Sequence, residues 1–452
     1  PHNRQRSPRH KLKLAARQPK HLPHTMNKSP TASPFETSFD VNSVRRDFPI
    51  LNRPLEQGRH RKGMLPAFLD SAASAQKPSC VIEKEREVEE QYFANAYRGV
   101  YYFGARIDEE LEASRDRIRQ LLNAKSSGEI AFTSGTTMSI NIVARAWGAK
   151  FLEPGDEVLI TDMEHHANIV PWQMICQERG ATLRWLPLTD DLRLDLSQLD
   201  DYLTAKTKLV AVTSMSNVLG TINPIHEIAR KAHAVGAKIL VDAAQSTPHG
   251  AIDVRTGDGG EIDFLALSGH KLFGPTGIGV LYGREELLKE MNPFLGGGHM
   301  ISRVFKDHSD WADPPAKFEA GTIPIVQAIA LGSAVDYVEG LGFANIHAYE
   351  ANLLRYAHEK LEAIPGLRIY GPACEFKGPI VSFTIDGVSA EDLANLLDIK
   401  GVFVRHGHHC TMPLHDKLGI TASVRASFAM YNTHEEVDRL VDAINFALER
   451  LS

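Results

Sequence analysis

Leu267-Ser268-Gly269-His270-Lys271 decides how this chain is read. The residues leading into it, Phe264–Leu267, are a short apolar run of strand type, broken by a polar Ser-Gly-His-Lys loop. A lysine just past a buried strand can hold a carbonyl compound as a Schiff base once its ammonium proton is lost. Burial and nearby positive charge both favour that loss. Far along the chain, Val404-Arg405-His406-Gly407-His408-His409-Cys410 puts a cysteine on a Gly/His loop, where a thiol can be exposed and activated.

Outward from the lysine, short apolar runs alternate with helical periods. Strands are predicted at Ile130–Phe132, Val158–Ile160, Leu209–Thr213, Lys238–Val241 and Gly277–Tyr282. The run Lys238-Ile239-Leu240-Val241 has apolar neighbours on both faces, as in a covered, mostly parallel sheet. Between strands, Thr137–Trp147 reads as a helix with Ile140, Val143, Ala144 and Trp147 on one face. This alternation argues for an α/β fold. Upstream, an amphipathic helix is expected over Phe35–Leu51, a strand at Ala67–Leu69 and a polar helix at Glu109–Leu122. A linking helix around Gly332–Gly340 leads to a second region. There, strands Ile380–Ile385, Val402–Arg405 and Ser423–Ala426 mix with helices Ala351–Ala363, Ala390–Leu397 and Glu435–Leu451. The last helix opens with a Thr433/Glu436 capping box and carries the stripe Val437, Leu440, Val441, Ile444, Ala447, Leu448 and Leu451. The expected organisation is a disordered basic extension (1–35), a large domain (62–335) and a smaller α+β domain (36–61 with 336–452).

A chain of 452 residues is long enough for two cores. Its net charge of −6 gives no reason to expect nucleic-acid binding, and no apolar run approaches the ~20 residues of a membrane span. Four scattered cysteines without a CxxC pair point to a reducing, cytoplasmic setting. Of these, Cys80, Cys176 and Cys374 read as small buried hydrophobes. The N-terminal stretch carries Arg4, Arg6, Arg9, Lys11, Lys13, Arg17 and Lys20 and no acidic residue among them. It lacks the apolar core of a secretory signal, so it reads as a disordered extension, with an organelle transit peptide as the alternative and Met26 as a candidate start.

Four polar clusters fall at the carboxyl ends of predicted strands, where open α/β sheets bind ligands. Thr133-Ser134-Gly135-Thr136-Thr137 opens a helix and can seat a phosphate, or be a plain N-cap. Asp242 can pair with a protonated ring nitrogen, with Gln245 reaching the ring oxygen, or Asp242 can cap a helix. Glu164-His165-His166 can offer an imidazole to stack on a ring and exchange protons, or be a polar loop. Ser268 and His270 can hydrogen-bond a phosphate beside Lys271. In the thiol loop, Arg405, His408 and His409 can raise the thiolate fraction of Cys410 above that of a free thiol with pKa about 8.5. The rival there is a zinc site on His406, His408, His409 and Cys410, but adjacent residues rarely converge on one tetrahedral ion, so no metal is assigned.

Taken in order, these clusters resemble the group II (SufS-type) cysteine desulfurases, within the class V aminotransferase family of PLP-dependent enzymes. The matching runs are Asp70-Ser71-Ala72-Ala73-Ser74-Ala75-Gln76-Lys77-Pro78, Glu164-His165-His166-Ala167-Asn168-Ile169-Val170-Pro171-Trp172, Ser216-Asn217-Val218-Leu219-Gly220, Ser268–Gly274, Glu319-Ala320-Gly321-Thr322 and Ala426-Ser427-Phe428-Ala429-Met430-Tyr431-Asn432. The likeness spans roughly residues 36–452. It implies an aminotransferase fold of type I, with a mostly parallel seven-stranded sheet in the large domain. It implies that Lys271 holds pyridoxal 5'-phosphate (PLP), Asp242 pairs with its ring nitrogen and His165 stacks on the ring. Thr136, Thr137, Ser268 and His270 would lie at the phosphate. Thr322 would reach the cofactor of a neighbouring subunit, making a homodimer. Asn217 and Arg425 would hold the carboxylate of L-cysteine, and Cys410 would accept its sulfur as a persulfide. A sulfur-acceptor protein of iron–sulfur cluster assembly would then clear the persulfide. A selenocysteine lyase on the same scaffold is the main alternative. An aminotransferase or epimerase, with Cys410 idle, is another, and a scaffold subunit with vestigial activity is the non-enzyme one. Four positions depart from the expected pattern: Tyr97, Met138, His299 and Ile323.

Overall fold

The structure, a computed structural model, describes residues 39–451 apart from 57 and 59–61. The expectations for residues 1–38 therefore lie outside the described residues. Seven strands form the main sheet: β1 (Ile130–Thr133), β2 (Glu157–Thr161), β3 (Thr182–Leu186), β4 (Thr207–Thr213), β5 (Lys238–Asp242), β6 (Phe264–Ser268) and β7 (Gly279–Gly283). Their order is β1-β7-β6-β5-β4-β2-β3, with β7 antiparallel to both its neighbours and the remaining pairs parallel. Every residue of β1, β6 and β7 is buried, because apolar residues point to both faces and helices cover both. On one face pack the helices Ser79–Gln91, Tyr102–Leu121, Ile225–Ala234 and Ile325–Leu341; on the other pack the stretch from Thr136 and the helix Val170–Arg179. Strand β3 was not predicted. It lies at the sheet edge, and Thr-Leu-Arg-Trp-Leu lacks the continuous apolar run of its buried neighbours.

A second sheet is antiparallel, in the order β8 (Leu367–Tyr370), β9 (Ile380–Ile385), β11 (Ser423–Ser427), β10 (Arg405–Gly407). Helices Phe343–Glu362, Ala390–Ile399 and His434–Leu451 close its core. The capping box forms as predicted: Thr433 N–H donates to Glu436 Oε2 at 3.1 Å, and Glu436 N–H to Thr433 Oγ1 at 3.3 Å. Leu451, placed in the apolar stripe, is exposed in the last turn. Three other expectations need correction. In the described part of the expected helix Phe35–Leu51, residues Val41–Arg46 are helical and a 3-10 turn follows at Pro49–Asn52, since Pro49 lacks the N–H a continued helix would use. The Thr137–Trp147 helix is α-helical only over Thr136–Ile142 and then widens to a π-helix over Val143–Gly148. The strand Val402–Arg405 is two pieces: Val402–Phe403 pairs with Ala67–Phe68, and β10 pairs with β11.

One buried ion pair ties the main sheet to its helices. Arg115, on the helix Tyr102–Leu121, donates Nη1 to Glu319 Oε1 at 2.6 Å and Nη2 to Glu319 Oε2 at 3.1 Å. Glu319 Oε1 also accepts the N–H of Phe132 in β1 at 2.7 Å, and Arg115 Nη1 reaches the Ile130 carbonyl at 2.7 Å. Both side chains are 1% exposed, so neither finds water if its partner is lost. Glu319→Ala should destabilise the protein by about 3–5 kcal/mol, the size expected when one partner of a buried pair is removed. A shift in the urea unfolding midpoint checks this.

Candidate functional site

A cleft of about 540 Å³ opens where the carboxyl ends of β4, β5 and β6 face the second sheet. Eleven of the cofactor, substrate and nucleophile candidates line it: Thr136, Thr137, His165, Asn217, Asp242, Gln245, Ser268, His270, Lys271, Cys410 and Arg425. They come from seven separate stretches: five follow strands of the main sheet, whose parallel members end at one edge, and two, Cys410 and Arg425, come from the second sheet.

At one end of the cleft, Thr136 starts a helix immediately after β1. Its N–H donates to Ser268 Oγ at 2.9 Å, and the two hydroxyls lie 2.8 Å apart. Gly135 enters this turn at φ +139°, which side chains rarely adopt, and a Cβ there would sit 3.3 Å from Ser268 Oγ. Helix N–H groups and two hydroxyls make an anion seat.

Lys271 lies on the floor of the cleft. Desolvation pushes its amine down to about 8, and the Arg425 charge adds to this, against the pull of Asp242 and Cys410. More of the amine is therefore uncharged and nucleophilic near neutral pH than in a free lysine. Asp242 ends β5, is buried, and accepts the Ala244 N–H at 3.0 Å. Burial raises its carboxyl, while the Ala244 N–H and the Lys271 charge oppose the rise. Gln245 donates Nε2 to the Ala72 carbonyl at 2.8 Å, which anchors the 70–75 loop to the cleft.

His165 is fixed by its neighbours. Its Nδ1 accepts the Ala167 N–H at 3.0 Å. The loop beneath is held by Glu164, which accepts from Thr161 Oγ1 (2.6 Å), the Thr213 N–H (3.0 Å) and Asn168 Nδ2 (2.7 Å). Glu164 was quoted from the sequence without a role; its job as a buried bracket depends on Thr213, 49 residues away. Burial first, then the charges of Lys271, His166 and Arg425, push His165 down to about 4.

The thiol loop is exposed at Cys410 and tightly bound beneath. His409 and Cys410 adopt φ +50° and +57°, uncommon for residues with a side chain. Contacts from two other segments, at Asn217 and His166, hold this backbone. Asn217 Nδ2 donates to the His409 carbonyl at 2.8 Å, the His166 N–H to the Cys410 carbonyl at 2.8 Å, and the Met412 N–H to His166 Nε2 at 3.0 Å. His166 was not predicted to act here, and no local motif signals a contact across 244 residues of chain. One expectation about this loop fails. His409 is buried against Ser423, and burial with the Arg425 charge pushes it down to about 2, so it brings no positive charge to the thiol. Arg405 is the fixed cation beside the loop.

The other candidates fall elsewhere. Thr322 is exposed in a second depression with Tyr97, Arg98, His299 and Ile323, outside the cleft. Three of the four departures thus converge on Thr322, with Tyr97 and His299 stacked at 4.5 Å. Met138 packs against the core under the sheet. Of the three cysteines expected to be buried, only Cys176 is; Cys80 is exposed and Cys374 half-buried, because each sits at the start of a helical turn at the surface. Among the described residues no group of three or more His, Cys, Asp or Glu is arranged to hold a metal. No helix among them is long and apolar enough to cross a membrane.

Residues 67–440 match the aminotransferase class-V family. The chain is a member of that family. It is 47% identical over 408 residues to a cysteine desulfurase of Dickeya dadantii, covering 90% of this chain and 96% of the relative. It is 45% identical to a cysteine desulfurase of Haloferax volcanii, covering 91% and 97%. In structure it is similar to the cysteine desulfurase CsdA of Escherichia coli in an S-sulfonic acid form. The TM-score is 0.84 with 37% identity, covering 92% of this chain and all of that one. An apo cysteine desulfurase of Thermococcus onnurineus gives a TM-score of 0.84 with 35% identity, covering 92% and 99%. Class-V enzymes of this kind use PLP, and the cleft fits it. The Gly135–Thr136 seat suits a phosphate, the buried Asp242 a ring nitrogen, and the amine of Lys271 is depressed enough to be nucleophilic.

His165, His270 and His409 all lie below the ordinary histidine value of 6.5, the first two at about 4 and the third at about 2, each through burial first. The native protein keeps them neutral, while the unfolded chain protonates them near 6.5. The unfolded state binds more protons as pH falls from 6.5 toward 4, so stability is full above this window and falls within it. Urea midpoints measured across this range should decline, and His409→Asn should make the decline shallower.

Proposed function

We propose that this enzyme is a cysteine desulfurase whose machinery is the cleft of Lys271 and Cys410. It converts L-cysteine to L-alanine and keeps the sulfur on Cys410 as a persulfide. The observation that carries the reading is that one cleft holds a depressed lysine amine, a buried carboxylate, an arginine and an exposed thiol together.

Bound PLP supplies an electron-withdrawing ring that stabilises negative charge at the substrate Cα. Lys271 holds the cofactor and, once freed, moves the proton at Cα with its Nζ. Asp242 keeps the ring nitrogen protonated through its carboxylate. Thr136, Thr137, Ser268 and His270 would hold the phosphate, and His165, neutral near pH 7, would stack on the ring. Arg425 clamps the substrate carboxylate. Of its five N–H groups, one on Nη1 donates to the Asn217 carbonyl and one on Nη2 to Asp70, and the buried Nε–H has no protein partner, so the guanidinium keeps donors for the carboxylate. Asn217 orients Arg425 through its carbonyl and the thiol loop through its amide. Cys410 attacks the substrate sulfur as a thiolate; the S–S bond forms as the C–S bond breaks, and the carbon skeleton leaves as L-alanine.

Thr322, exposed and away from the cleft, is assigned to the cofactor of a second subunit in a homodimer. A sulfur-acceptor protein of iron–sulfur cluster assembly takes the persulfide from the exposed Cys410. Such chemistry suits a reducing cytoplasm, where the thiol is regenerated.

Purified holoenzyme with L-cysteine and dithiothreitol should release sulfide and alanine in equal amounts. Cys410→Ser should abolish sulfide release, and Lys271→Ala all turnover. Activity on L-selenocysteine that survives Cys410→Ser, with little on cysteine in the wild type, would assign the enzyme as a selenocysteine lyase instead. Arg425→Ala should raise KM for L-cysteine by tenfold or more, about the worth of one lost charge-assisted pair.

A further inference from the structure

Asp70 opens the run Asp70-Ser71-Ala72-Ala73-Ser74, and nothing above gives it a part in the reaction. Its surroundings are unusual. In the second sheet, Arg405 of β10 stands directly opposite Arg425 of β11. Like charges facing each other across an antiparallel pair repel. Here both guanidinium groups reach the same carboxylate. Arg405 donates Nη2 to Asp70 Oδ2 at 2.8 Å and Nε to the two oxygens at 3.1 and 3.2 Å. Arg425 donates Nη2 to Asp70 Oδ1 at 3.2 Å. Asp70 is itself pinned by an isolated bridge to Ser427, at the end of β11, and its side chain is 15% exposed. Arg425, at 3% side-chain exposure, has little water to screen it, while Arg405, at 50%, borders the cleft.

The two arginines sit on different parts of the machinery. Arg425 is in the sheet core; Arg405 is on the strand that runs directly into His408-His409-Cys410. We propose that Asp70 is a positioning residue that neutralises the cross-strand arginine pair, and so holds the substrate-binding guanidinium in place. This rests on the reading of Arg425 as the carboxylate clamp. Without Asp70, the repulsion would turn the buried Arg425 away from the position that the Asn217 carbonyl helps define, while the half-exposed Arg405 turns to solvent and the thiol loop keeps its bonds from Asn217 and His166. The effect falls on substrate binding more than on the chemical step, because Asp70 does not line the cleft and acts through Arg425.

The test is the steady-state kinetics of holoenzyme with L-cysteine, cofactor content being checked by absorbance. Asp70→Asn should raise KM roughly tenfold, the worth of one charge-assisted hydrogen bond, with a much smaller change in kcat. Asp70→Glu, which keeps the charge, should recover most of the loss. Adding Arg405→Gln to Asp70→Asn should lower KM again, because removing one cation relieves the repulsion that the lost carboxylate had balanced. A residue that is merely structural would reduce holoenzyme yield and kcat and would show no such rescue. An unmoved KM in Asp70→Asn, or a double variant no better than the single one, overturns the inference. If Asp70→Asn fails to fold while the double variant folds, the charge balance is supported; failure of both overturns the positioning role. Arg425→Ala is measured in parallel. If it leaves KM unmoved, the clamp reading itself falls, and if it raises KM while Asp70→Asn does not, only the inference about Asp70 falls.

Discussion

An amine held out of water is the constraint around which this molecule is built. Lys271 must lose part of its hydration to become nucleophilic near neutral pH, and an ammonium so placed is costly unless other charges balance it. Asp242 supplies a negative charge from the end of β5, while Arg425 opposes protonation from the second sheet. The result is an amine near 8, poised rather than locked in either state. Lys271 and Asp242 sit where they do because neighbouring parallel strands end at one edge of the main sheet, and Arg425 reaches them from the second sheet.

The cleft also needs its two sheets held in fixed relation, and a set of directional polar contacts does part of this. Ala72 N–H donates to Ser427 Oγ at 2.9 Å, and the Ala72 carbonyl accepts from Gln245 at 2.8 Å, so one loop residue touches both sheets. Asn217 does the same from the end of β4, between Arg425 and His409. His166 fastens the loop after β2 to the thiol loop. Buried hydrogen bonds are directional, so they set distances that packing alone leaves adjustable. A sulfur atom passing from a substrate on the floor to a thiol at the rim needs such fixed distances.

Much of the fold was legible because period and composition carry it. The apolar runs at β1, β2, β4, β5, β6, β7 and β9 are buried on both faces, and such runs announce themselves. The edge strand β3 and the helices Ser79–Gln91, Val170–Arg179 and Ile225–Ala234 were missed; β3 and Ser79–Gln91 bury few apolar residues. The π-widening after Ile142 has no sequence signal. In the site, Lys271, Asp242, His165 and Cys410 stood out by their chemistry at strand ends. Glu164 and His166 did not, since their partners Thr213, Cys410 and Met412 are distant in the chain. His409 was misread because its neighbours in sequence are polar while its neighbours in space are the interior face of β11.

What the sequence by itself determined is most of the buried strands and a set of candidate reactive groups: a lysine after a buried strand, a carboxylate at the end of another, a cysteine on a glycine–histidine loop. These follow from local period and side-chain chemistry, which need no knowledge of the rest of the chain. Only the tertiary structure decided which charges face each other. That Asp70 lies between Arg405 and Arg425, that His409 is desolvated and neutral, and that Thr322 stands apart from the cleft depend on which segments pack together, Asp70 meeting its arginines across more than 300 residues of chain. Electrostatic energies depend on distance and on burial, and both are properties of the folded chain alone.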